Sequence, residues 1–70
     1  MTARTWLEGF AAATGTAAPT DEEFEALLRL AAVAAHASER QAAPVACFMA
    51  ARAGLDLEQA IALAESVPAE

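Results

Sequence analysis

Apolar positions recur along this chain with the three-to-four residue spacing of helices, and almost nowhere with the alternation of strands. Trp6, Phe10 and Ala13 fall on one stripe, with Leu7 beside them, so a first helix is predicted from about Ala3 to Thr14. Thr2 or Thr5 can cap its first turn, and Gly15 can close it. A second helix begins at Thr20-Asp21-Glu22-Glu23, a capping box with Thr20 as N-cap and Glu23 at the third helical position. On it Phe24, Leu27, Leu28, Ala31 and Ala35 form one face, and Leu30, Val33 and Ala34 another. Only Arg29 is polar between Ala26 and Ala35, the signature of a helix covered on several sides. Gln41-Ala42-Ala43-Pro44 separates it from a third helix over about Ala43–Ala53, with the proline expected at the first helical position and Gly54 ending the helix. Asp56 and Gln59 mark a fourth start, for a helix over Leu57–Ser66 striped by Leu57, Ala60, Ile61 and Ala64. The expectation is an all-α, compact four-helix bundle comprising residues 1–70 as a single domain. The second and third helices are its inner pair, and Trp6 is a core anchor.

Composition thins this core. Twenty-two of the 70 residues are alanine, so the 57% hydrophobic content overstates the large side chains available. A chain this short is near the lower limit for folding alone, and a homodimer or another partner surface would help it. Alanines at Ala31, Ala34, Ala46, Ala50 and Ala53 allow helices to approach closely.

The net charge of -6 disfavours nucleic acid and anionic membrane surfaces, whose binding depends on clustered cations. No stretch reads as a signal peptide or a membrane span. The single cysteine, Cys47, excludes an internal disulfide, and with His36 it falls short of a structural zinc set. A cytoplasmic setting without cofactor or metal is expected. The near absence of residues with A/T-rich codons suggests a G/C-rich bacterial genome.

Four features carry any chemistry. His36, with Glu39 and Arg40, forms a polar cluster near the end of the second helix. It reads either as a docking epitope or as a helix C-cap with Arg40 on the last carbonyls. Cys47 lies within an apolar helix and reads as a core thiol. Asp21, Glu22, Glu23 and Glu25 have sufficient reason in the helix dipole and lack a calcium-loop spacing. Trp6, if exposed, would mark a binding surface. Neither an acyl carrier nor a helix-turn-helix reading holds. Leu57 stands where the carrier needs its serine, and the would-be recognition helix carries Glu58 and Glu65 without a cation.

The run Ala34-Ala35-His36-Ala37-Ser38-Glu39-Arg40-Gln41-Ala42-Ala43-Pro44-Val45 and the opening Trp6-Leu7 resemble a small actinobacterial domain of unknown function. That domain occurs alone and fused to molybdenum cofactor guanylyltransferase (MobA-like) proteins. Its signature resembles Val-Ala-His, then Glu-Arg-Pro-Ala-Ala-Pro, then an apolar helix with phenylalanine. His36, Glu39, Arg40, Ala42, Ala43, Pro44 and Phe48 match it, and Gln41 departs where proline is expected. The resemblance implies an accessory to molybdopterin-guanine dinucleotide biosynthesis or molybdoenzyme maturation, with a MobA-like guanylyltransferase as protein partner. The transferase chemistry itself needs a nucleotide-binding fold and glycine-rich loop that Gly9, Gly15 and Gly54, widely separated, do not make. The leading expectation is therefore a noncatalytic interaction module with His36, Glu39, Arg40 and Pro44 as its epitope. The alternative is a small-ligand binder or minor enzyme with a polar pocket around His36 and Glu39.

Overall fold

The computed structural model describes residues 1–69 and contains four helices: α1 (Ala3–Thr14), α2 (Asp21–Ala37), α3 (Ala42–Ala53) and α4 (Leu57–Ser66). Their ends follow the local chemistry. The Thr2 hydroxyl accepts the Thr5 N–H at 3.1 Å and starts α1. At α2 the box closes in both directions, Glu23 N–H to Thr20 Oγ1 at 3.1 Å and Thr20 N–H to Glu23 Oε1 at 2.8 Å. Asp56 accepts the Gln59 N–H at 3.3 Å and starts α4. Gly54, at φ 70°, turns the chain left-handed after α3, a conformation that costs any side-chain-bearing residue.

α3 departs from expectation at its start. The Ala42 and Ala43 N–H groups already donate to the Glu39 and Arg40 carbonyls at 2.9 and 3.1 Å, so the helix begins at Ala42 and Pro44 is its third residue. That position is still within the first turn, where the missing N–H costs nothing.

α2 is the hub, packed against both α3 and α4. Ala26 and Leu30 from α2, Ala50 from α3, and Ala60 and Ile61 from α4 form the buried core. Cys47, Leu55, Leu57 and Ala64 pack around them. The expected inner pair of α2 with α3 is thus joined by α4. α4 contributes two buried residues to α3's one, and Val45, Phe48 and Met49 of α3 remain exposed. An exposed ion pair between Arg29 and Glu58 joins α2 to α4.

α1 stands apart from this core. None of its residues is buried. Leu7 and Ala11 are half-buried, and Arg4 reaches the start of α2. There it pairs with Asp21 at 2.6 Å and lies over the Phe24 ring at 4.1 Å. Trp6 is consequently no core anchor. It is 56% exposed and stacks on the 52% exposed Phe10 with ring centroids 5.2 Å apart. Both belong to a stripe pointing to solvent, because the narrower Arg4–Leu7–Ala11 side is the one that meets α2.

The cost is visible in the surface. The chain exposes 5282 Å². A monomer of this mass ordinarily exposes about 4,100 Å². Its Cα radius of gyration is 12.7 Å, against about 11 Å for a compact chain of this length.

Candidate interaction site

Past the core, toward the C-terminal end of α2, α3 and α4 leave a groove of about 490 Å³ between them. Leu30, Val33 and Ala34 of α2 contribute to its floor. Ala46, Met49 and Ala53 of α3 and Leu63 and Val67 on the α4 side contribute to its walls. The cause is side-chain size. Four of the five alanines expected to permit close approach, Ala34, Ala46, Ala50 and Ala53, line this groove. A methyl group does not span the space between helix backbones that ordinary core leucines fill, so the gap stays open.

The groove is mostly apolar. Among the described residues Ser38 is the only polar one lining it, and its hydroxyl already donates to the Ala34 carbonyl at 2.9 Å. Met49 and Leu63 stand exposed at the lips. A concave, mostly apolar surface of this kind suits contacts made by shape and water exclusion.

The sequence-derived epitope lies alongside. His36, Glu39, Arg40 and Pro44 are exposed and flank, along the chain, the lining residues Ala37, Ser38 and Ala42. None of the four itself lines the groove, so His36 and Glu39 do not converge on this cavity. Nor does Arg40 cap α2. Among the described residues its side chain makes no hydrogen bond or ion pair, and the end of α2 is closed by the Ser38 N–H and hydroxyl on the Ala34 carbonyl. The four are thus exposed chain neighbours of an apolar lining. The lining residues escaped the sequence reading because the pattern assigned them to helix–helix contact. Their one visible signal was alanine recurring on the facing sides of α2 and α3.

The remaining candidates have structural explanations. Cys47 is half-buried beside the core, its Sγ 3.8 Å from the Leu27 carbonyl, and burial pushes its thiol pKa upward. That is the opposite of a reactive thiolate. Asp21 pairs with Arg4, Glu23 closes the capping box, and Glu25 lies 4.0 Å from Arg4. Among the described residues no three His, Cys, Asp or Glu side chains are grouped to hold a metal ion, and no helix is long and apolar enough to cross a membrane.

Comparison with curated proteins and with solved structures finds no match. A family model does match, and it spans residues 1–69, the same stretch that carries all four helices and the groove. The chain therefore belongs to the DUF6457 family, a domain of unknown function.

Proposed function

We propose that this domain is a noncatalytic helical interaction module. The observation that carries the reading is the groove: about 490 Å³ of mostly apolar space, open to solvent, whose one polar side chain among the described residues, Ser38, is already hydrogen-bonded. Such a surface suits an amphipathic helix, whose apolar side chains at successive turns fill the groove while its polar face stays in water. His36, Glu39, Arg40 and Pro44 form the polar rim that sets orientation. The resemblance of the His36–Pro44 segment suggests the partner, a MobA-like guanylyltransferase, and hence a role in molybdopterin-guanine dinucleotide biosynthesis or molybdoenzyme maturation.

The test is a binding titration between the purified domain and a purified MobA-like guanylyltransferase of the same organism, read by interferometry. Leu63→Glu puts a charge on the groove lip at an exposed position and should abolish the signal, with helix content unchanged by circular dichroism. Arg40→Ala should weaken it. Absence of binding by the wild-type domain removes the guanylyltransferase from the proposal. Undiminished binding by Leu63→Glu removes the groove.

The groove volume also falls in the range of small-molecule sites, which favours one second reading, an apolar ligand held by shape. Native mass spectrometry of the domain purified from its source would detect such a ligand. A ligand-free spectrum would dismiss it.

A further inference from the structure

We infer that the groove is filled by α1 of a second copy of this chain, in a reciprocal dimer where each copy's Trp6–Phe10 ridge enters the other's groove. The inference rests on the interaction-module reading: α1 of the second copy covers the groove in the free protein, and a partner helix binds there by displacing it.

Three observations converge on this occupant. The first is area. The chain's 5282 Å² of exposed surface exceeds the expectation for a monomer of its mass by about 1,200 Å². A standard stable interface takes about 800 Å² from each partner. The surplus therefore suffices for a dimer.

The second is shape. α1 is a 12-residue helix with no buried residue, and isolated helices of that length are marginal in water. Its outward face presents Trp6, Phe10 and Ala13 at i, i+4 and i+7, the spacing of anchors for a groove. The aromatic pair is already stacked, so little side-chain freedom is lost on docking. No α1 residue lines the groove of its own chain. α1 is held instead at the start of α2, through Arg4 and Asp21. The last turn of α2 lies about 25 Å further along that helix.

The third is charge. α1 and the start of α2 carry Arg4 against Glu8, Asp21, Glu22, Glu23 and Glu25. Beside the groove, Arg40 precedes the first turn of α3 and Arg52 stands in its last turn over the Phe48 ring at 4.5 Å, with His36, Glu39 and Glu65 as the other ionisable groups near its lining residues in the chain. Arg4 and Arg29 are engaged in ion pairs, and among the described residues Arg40 and Arg52 make none. Docking α1 of one copy into the groove of another brings the acidic end of each chain to these cations. Reciprocity matters too. Because both contacts form together, the assembly closes as a twofold dimer, whereas a single α1-in-groove contact would propagate into a filament.

Sedimentation velocity of the full chain, from micromolar to millimolar, tests this with three variants. Each variant is first checked for unchanged helix content. The wild type should be a dimer that weakens as salt rises. Trp6→Ala removes the anchor from both contacts and should self-associate about 1,000-fold more weakly, about 30-fold for each central aromatic anchor. Leu63→Glu should be monomeric at concentrations where the wild type is dimeric. Leu28→Glu, an exposed apolar position outside both α1 and the groove, should leave the dimer intact. An equimolar mixture of Trp6→Ala and Leu63→Glu should recover dimer, since one ridge and one groove remain whole. A monomeric wild type overturns the inference. So does a dimer that survives Leu63→Glu, or a mixture that fails to recover. If the wild type is monomeric yet Leu63→Glu still abolishes guanylyltransferase binding, the dimer fails and the interaction-module reading stands.

Discussion

Leu30 is the most buried residue of the core, at 2% exposure, and its replacement by alanine measures how much this thin core contributes. Leucine-to-alanine changes in packed cores cost about 2–5 kcal/mol, the spread reflecting how far the site collapses. Here Leu30 touches both the core cluster and the groove floor, so part of the vacated volume opens into solvent-accessible space. That places the expected cost at about 2–3 kcal/mol, in the lower half of the range. A domain of this length has about 3.5–10 kcal/mol of total stability, so the loss is a large fraction of it. At 4–8 °C per kcal/mol the melting temperature should fall by roughly 10–20 °C. Urea unfolding followed by far-UV circular dichroism gives the free energy directly, at a protein concentration held fixed across variants. The internal comparison is Leu28→Ala on the same helix, 53% exposed, which should stay within about 0.5 kcal/mol of wild type. A loss below about 1 kcal/mol for Leu30→Ala would mean the core is not where the burial pattern places it. Equal losses for both leucines would show that the outer face of α2 is covered in solution.

Thr20→Ala removes one arm of the capping box and should cost about 1 kcal/mol in the same urea assay; no change would mean that another group takes over the Glu23 N–H. Gly54→Ala should destabilise by about 1 kcal/mol because φ is positive there, whereas Gly9→Ala, where the added methyl meets nothing in the chain, should raise helix content and stabilise by about 0.5–1 kcal/mol; reversal of the two signs would refute the assigned backbone. Burial raises the Cys47 pKa, so the folded state holds that proton more tightly than the unfolded one. The associated stability is complete below the ordinary thiol range and is lost as pH rises through it. Wild-type urea midpoints should therefore fall more steeply with alkaline pH than those of Cys47→Ala, and parallel curves would count against burial.

Helix positions were legible because this chain punctuates with strong local chemistry. Thr20 and Glu23, Asp56 and Gln59, Gly15 and Gly54 each fix a boundary through a backbone group within three or four residues, and no tertiary contact is needed to read them. The start of α3 was less legible because proline is acceptable anywhere in the first turn, and the turn at Glu39–Gln41 decided which position it took. Packing was the harder part. In a helix such as α3, where alanine fills most faces, hydrophobic periodicity cannot distinguish the buried side from the exposed one. The same ambiguity placed Trp6 inside when its stripe points outward. The epitope residues His36, Glu39, Arg40 and Pro44 were visible as a polar interruption. The groove beside them depends on how α3 and α4 diverge from α2, a three-dimensional property that no single helix records.

The alanine wall has a consequence for engineering and for drift. Replacing Ala34, Ala46 or Ala53 with leucine would add apolar contact where water now enters, so these are positions at which a monomer is easily made more stable. The same change would plug the recess. Directed evolution of this domain for heat resistance alone should therefore select larger residues along the wall and erase binding as it succeeds. Selection on binding should return alanine to the same sites.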